Sequence, residues 1–281
     1  MKRSPRKQNL LPWSQIERYK NMTNNEIHST AIIESGAEID DGVYVGPFCI
    51  VKDGVRILKG TKLISNVIVE GDTEIGENCT IYPFTSIGLP PQDLKYKGEK
   101  TGIRIGNNNT IREYTTIHKA SVGGDGFTSI GDNIFLMAYV HVAHDCKIGN
   151  SVIMSNVATL AGHVIVEDHV YIGGLVAVHQ FTRIGAYAMV GGFSGVGPDI
   201  PPYTMASGAR AKLFGLNAVG LKRHGFSDAI INDLKKAYKI LFREKRTMKD
   251  ALKKIQEDLP YTDEIKHLIE FIQRNKRGIC R

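Results

Sequence analysis

Long hydrophobic runs are missing from this sequence. No stretch of about 18 apolar residues occurs, which excludes a membrane-spanning helix. Residues 1–22, MKRSPRKQNLLPWSQIERYKNM, are basic but hold neither an apolar core nor a cleavage site. They do not read as a secretion signal; they read as a disordered leader or extension, with Met22 as an alternative start. Cysteine is scarce at four residues, and no C-x-x-C pair occurs. That leaves no zinc knuckle and no disulfide framework, and a cytoplasmic location fits. No Ser–His pair stands out as a nucleophile and its base. The glycines of GGFSGVG do not make a dinucleotide loop, because no helix follows them in a βαβ unit.

Basic charge is also missing from most of the chain, despite a formal net charge of +7. Residues 1–22 carry +5 and residues 222–281 carry +7, so the intervening part is acidic at −5. A nucleic-acid reader places its basic stripe on its main surface, so nucleic acid is not the expected partner. A basic tail points instead to an acidic partner docking there.

What is present is a period of six. From Ile130, every sixth residue is a large aliphatic: Leu136, Val142, Ile148, Met154, Leu160, Val166, Ile172, Val178, Ile184, Val190 and Val196. The same rhythm runs from Ile27 to Ile87 and again over Ile105, Ile111 and Ile117. Neither a helix nor a single strand has this period. It is the pattern of hexapeptide repeats, short strands joined by turns and stacked into a three-sided prism. The fold class expected is mainly β, a parallel β-helix over residues 23–214 with a C-terminal α-helical domain over 215–281. Cys49, Cys79 and Cys146 fall on small inward positions of the repeat, and Cys280 is expected in a frayed tail.

Two segments break the rhythm: Gly88–Arg104, containing PPQDLKY, and the glycine-rich Lys119–Ser129. Interruptions of a solenoid are loops thrown outward, often functional. Beyond Pro202 the period becomes helical. Ser227, Thr247 and Thr262 are each placed to cap a helix, the first bearing Ile231, Leu234, Tyr238 and Leu241 on one face.

Three hexads per coil place residues 18 apart one rung apart. The position two after each aliphatic then sorts into three columns. One is His144, Gly162, Gln180; the second is Ala138, Asn156, Gly174, Gly192; the third is Asp132, Asn150, Asp168, Ala186, expected as solvated surface. The first carries the reactive groups. His141, His144, His163 and His179 lie near it, and histidine is the natural general base at neutral pH. Gly162, one rung from His144, can offer an unhindered N–H to a developing oxyanion. A zinc site built from the same histidines remains an alternative on residue type alone.

The stretches VGPFCIV, PQDLKY, IREYTTIH, HVAHDC, LAGHV, AVHQF, MVGGFSGV, DIPPY and GLKRHGFS together carry a specific resemblance. Over roughly residues 23–281 the chain resembles the acyl-ACP:UDP-N-acetylglucosamine O-acyltransferases of lipid A biosynthesis. The resemblance implies a left-handed β-helix and a homotrimer with active sites between subunits. It implies a (R)-3-hydroxyacyl chain on acyl carrier protein as donor, UDP-N-acetylglucosamine as acceptor, and no cofactor or metal. His144 is then the general base, Asp145 its supporting acid and Gly162 the oxyanion donor. Gln92, Asp93 and Lys95 meet the substrates, and His141, His163, His179 and Gln180 line the cleft. Asn217 and Arg223 match residues that hold the nucleotide, and Gly192 matches the position that sets acyl length. Val219, His224 and Arg210 depart from the family pattern, which leaves a 3-hydroxy and a 3-amino sugar both open as acceptors.

Overall fold

The computed structural model describes residues 25–281, so the reading of residues 1–22 as a leader lies outside the described residues. From Glu26–Ile27 to Gly195–Val196 the chain is a succession of strands two to four residues long, and each carries one of the period-six aliphatics. The strands deal themselves in turn onto three parallel sheets. The first face holds the strands ending at Val45, Leu63 and Leu136; the second, those at Val51, Val142 and Leu160; the third, those at Ile57, Ile148 and Val166. Registers are in step along each face, as in Ile81 beside Ile111 and Val142 beside Leu160. The result is a left-handed parallel β-helix.

The period six follows from this geometry. Each face needs one inward aliphatic per coil, and the two residues on either side must turn a corner. Ile57, Leu63, Ile75, Ile81, Ile111, Ile117, Leu136 and Leu160 are fully buried down the axis. Each such side chain contributes about 1.5–3 kcal/mol by leaving water. Cys49, Cys79 and Cys146 lie among them as small inward fillers.

At nearly every corner the third residue after the aliphatic adopts the left-handed conformation, including Phe84, Tyr114, Tyr139, Asp145, His163, Phe181, His169 and Tyr187 at φ between 58° and 64°. Such a φ is unfavourable for a residue with a Cβ. Stacking from coil to coil offsets it: Phe84, Tyr114 and Tyr139 stack at 5.1 and 4.8 Å, His163 on Phe181 at 4.5 Å, and His169 on Tyr187 at 4.6 Å. The third column is more than the solvated surface expected of it. Asp132 Oδ1 accepts from Asn107 N at 2.6 Å, Asn150 Oδ1 from Asp132 N at 2.9 Å, and Asp168 Oδ1 from Asn150 N at 2.6 Å. These side chains satisfy backbone N–H groups that the turns would otherwise leave unpaired.

The prism ends in a hairpin, Thr204–Ser207 against Lys212–Leu216, after which the chain turns helical. Four helices follow: α1 (Ala218–Arg223), α2 (Asp228–Phe242), α3 (Met248–Asp258) and α4 (Asp263–Gln273). Ser227, Thr247 and Thr262 cap the last three as expected, and α1, which the sequence did not announce, is capped by Asn217. Leu221, Leu234, Ile255, Leu268 and Ile269 form their common core. Arg183 ties this unit to the prism, pairing with Asp199 at 2.8 Å and donating to Phe271 O at 2.8 Å. The expectation of a frayed Cys280 is wrong. Cys280 is buried, its N–H donates to Asp199 O at 2.9 Å, and its thiol contacts Ala211 O.

Candidate active site

Both interruptions leave from the second face and return on the third, so both sit at the corner that carries His144, Gly162 and Gln180. The corner itself supplies the histidines; the loops supply what surrounds them.

His144 Nδ1 lies 2.8 Å from Asp145 Oδ2. The two are adjacent in sequence, and the left-handed φ of 59° at Asp145 is what turns its carboxylate back onto the ring. Asp145 is 5% exposed; its Oδ2 also accepts from Ser121 N at 2.9 Å, and its own N–H donates to Thr128 Oγ1. With a carboxylate on Nδ1, His144 keeps its proton there and leaves Nε2 as the acceptor. Gly162 lies directly beneath the ring. Its N–H donates to no other described group. The His163 ring stands edge-on to His144 at 5.1 Å, and burial pushes its pKa down, against the opposing pull of Asp145.

His141 is on the second face, one strand position from this pair. It shares a hydrogen bond with Thr116 Oγ1 at 2.7 Å, and burial pushes it down to about 4. It is neutral at physiological pH. His179 and Gln180, one rung beyond Gly162, are exposed, and Arg277 of the C-terminal segment reaches His179 Nδ1 at 3.2 Å.

Asp93 from the first loop joins the group. Its Oδ2 accepts from Ser121 Oγ at 2.6 Å and its Oδ1 from Lys95 N at 3.0 Å. These bonds, the Ser121 one first, hold its carboxyl below the usual range. Gln92 and Lys95 extend from the same loop into solvent. Two residues of this corner were not singled out in the sequence: Ser121, and His118, whose Nδ1–H donates to Pro90 O at 2.7 Å. His118 stands in the motif IREYTTIH, and the histidine count alone could have flagged it.

The remaining expected residues lie elsewhere on this chain. Asn217 and Arg223 line a groove of about 900 Å³ between the first face and α1, together with His169, Tyr171, Val219 and His224. Gly192 is exposed on the corner between the first and second faces. His144 borders neither place. A second groove, about 830 Å³, runs from Asp145 and His163 to Arg274, Lys276 and Arg277.

His144, Asp145 and His163 bring one possible metal-ligand atom each within 4.8 Å of one another. Two imidazoles and a carboxylate suit a first-row metal by type. Asp145 Oδ2 serves Ser121 and His144, as in an oriented base, while its buried Oδ1 has no hydrogen-bond partner among the described residues.

A hexapeptide-repeat prism with a carboxylate-backed histidine on one corner defines the class of left-handed β-helix acyltransferases. Residues 199–280 match the family model described as UDP-N-acetylglucosamine O-acyltransferase, domain 2. The chain is 71% identical over 257 residues to the acyl-[acyl-carrier-protein]–UDP-N-acetylglucosamine O-acyltransferase of Thermodesulfovibrio yellowstonii, covering 92% of this chain and all of that protein. The LpxA structure from Acinetobacter baumannii superposes with a TM-score of 0.88 at 44% identity, over 91% of this chain and 99% of that one. The UDP-N-acetylglucosamine acyltransferase from Campylobacter jejuni does so with 0.86 at 39%, again over 91% and 99%. The chain belongs to the acyl-ACP–UDP-N-acetylglucosamine O-acyltransferase family and is an acyltransferase.

Proposed function

We propose that this enzyme transfers a (R)-3-hydroxyacyl chain from acyl carrier protein to the 3-position of UDP-N-acetylglucosamine, the first step of lipid A biosynthesis. The observation that carries the mechanism is the His144–Asp145 pair lying over Gly162. Asp145 fixes the tautomer of His144, whose Nε2 takes the proton of the sugar 3-hydroxyl as that oxygen attacks the thioester. The Gly162 N–H receives the oxyanion, and the thiol of the carrier leaves. Direct attack suits the site, because Cys146 is buried and burial pushes its thiol up to about 12.

Asn217 and Arg223 stand apart from His144 on one chain, which supports a site completed by a neighbour in a homotrimer. A ridge of exposed apolar residues runs along the corner beside Gly174 and Gly192: Phe48, Phe84, Tyr139, Val157, Leu175 and Phe193. Such a ridge suits burial against a second copy. The basic groove edge at Arg274, Lys276 and Arg277 suits acyl carrier protein, an acidic partner. Four free, buried cysteines fit a cytoplasmic location.

The test is mass spectrometry of UDP-N-acetylglucosamine incubated with hydroxyacyl-ACPs of graded length, with the 3-amino sugar as competitor. Acylated UDP-N-acetylglucosamine is expected. Its absence, with product forming only on the amine, overturns the choice of acceptor; no product on either overturns the reaction.

A further inference from the structure

We propose that Ser121 is a positioning residue, which sets the loop carboxylate Asp93 against the His144–Asp145 pair by donating to both carboxylates at once. The proposal rests on the reading above, in which Asp93 meets the acceptor and His144 is the base.

The geometry is specific. The Ser121 hydroxyl donates to Asp93 Oδ2 at 2.6 Å, while the Ser121 amide donates to Asp145 Oδ2 at 2.9 Å. Ser121 itself is 2% exposed, whereas the loop it holds is largely in solvent: Gln92, Leu94 and Lys95 are all exposed. Among the described residues, the hydrogen bonds from Pro90–Lys95 to residues beyond this loop are His118 to Pro90 O and Ser121 to Asp93; within the loop Tyr96 N–H donates to Asp93 O. Removing the second leaves the carboxylate on a loop fastened only at its base.

Charge explains why a neutral residue with two donors belongs here. Asp93 and Asp145 are two carboxyl groups held by one residue, and like charges brought together favour protonation of one of them. The hydroxyl that donates to Asp93 holds its carboxyl below the usual range, and the amide on Asp145 fixes the separation of the two. Asp145 then serves His144, and Asp93 presents its free lone pairs to a hydroxyl or amide of the sugar. Placement of an acceptor to within about 1 Å decides whether its hydroxyl reaches the base.

The two arms separate by mutation, because one is side chain and the other backbone. Ser121→Ala cuts only the arm to Asp93, and Ser121→Thr keeps both donors. A hydrogen bond to a charged group is worth enough that Ser121→Ala should raise KM for UDP-N-acetylglucosamine about tenfold. KM for acyl-ACP and the melting temperature should stay as in wild type. The carboxylate break on the acid limb of kcat/KM for the acceptor should move to higher pH, since Asp93 loses the bond that holds its carboxyl low. A merely structural role would not move that limb. Ser121→Thr should restore both quantities, and Ser121→Ala should add nothing in an Asp93→Ala background. Ser121→Cys, of similar size and a weak donor, carries the same test if the alanine variant fails to fold. An unchanged acceptor KM and acid limb in the folded variant, or full additivity with Asp93→Ala, overturns the proposal. His144→Ala run in parallel keeps the readings distinct: undiminished kcat there defeats the base assignment, while the Ser121 result in KM still decides the positioning role.

Discussion

Gly162 and His144 occupy adjoining coils so closely that a Cβ added at residue 162 would sit 2.5 Å from His144 Cε1 and 2.6 Å from Nε2. Only glycine lets the His144 ring pack this closely against the neighbouring turn, where the Gly162 N–H donates to no other described group. Gly162→Ala should therefore push the imidazole off its place and cover the donor. Loss of one oxyanion donor typically costs about 10²–10³ in kcat. A comparable loss with little change in melting temperature is expected, read from initial rates and a thermal melt. Normal turnover in the alanine variant would remove Gly162 from the mechanism.

His144→Ala should keep the fold, because the ring fills no core position. Turnover should fall by about 10²–10⁴, the usual cost of losing a general base. Asp145→Asn should lose less, since the amide can still orient the ring through Nδ1 but no longer supports its charge. Rates for the two variants, measured at saturating substrates, check the order. A larger loss for Asp145→Asn than for His144→Ala would reverse the roles.

His141 gives the fold a dependence on pH. Its folded pKa of about 4 lies below the ordinary value of 6.5, chiefly through burial. Between those values the unfolded chain takes up a proton that the folded chain refuses. Stability is thus fully present above about pH 6.5 and falls as the pH drops toward 4, by at most about 1.4 kcal/mol per unit. His141→Gln should flatten this slope in denaturant titrations across that window. An unchanged slope would mean that other groups carry the acid sensitivity.

The periodic part of this molecule was legible because it is local. One aliphatic per hexad is enough to count the coils, and the columns two residues on put His144 over Gly162, as the structure has them. The left-handed residues one place later were not legible. Phe84, Tyr114 and Tyr139 tolerate a positive φ because they stack on partners 25 and 30 residues away, a compensation absent from any single repeat. The same distance hid Ser121 and His118, each bonded to a loop residue 28 positions earlier. Cys280 looked frayed because it follows the charged run Arg274–Arg277 and Gly278. Its anchor is Asp199, reached only once the last coil and α4 are in place. Helix α1 is too short for its periodicity to show, and Asn217 had been read only as a nucleotide contact.

Charge at the groove edge offers a test of the carrier-protein surface. Lys276 is exposed and borders the groove that reaches His163 and Asp145. Lys276→Glu should raise KM for acyl-ACP severalfold, and added salt should do the same to wild type. KM for UDP-N-acetylglucosamine should not change. Steady-state kinetics with each substrate varied separate the two effects, and an unaltered KM for acyl-ACP would move the docking surface elsewhere.

Acyl length should be set at Gly192. A Cβ there would meet only backbone, 3.2 Å from Gly174 O, and Gly174 one coil earlier carries no side chain either, so this column is bare along two rungs. Gly192 does not require a positive φ, so a larger side chain brings no strain in φ, and Gly174 O has to give by a few tenths of an ångström. Gly192→Met would lay a four-atom side chain over that bare strip. Each methylene displaced from an apolar groove costs about 0.8 kcal/mol, so four of them shift selectivity by about 3 kcal/mol, or more than a hundredfold. The variant should prefer a chain about four carbons shorter than the one wild type prefers, on that arithmetic. Competition among hydroxyacyl-ACPs of graded length in a single reaction reads the ratio directly. A variant equally depressed at every length would show damage to the cleft instead of a ruler, and Gly192 would then lose its assigned role.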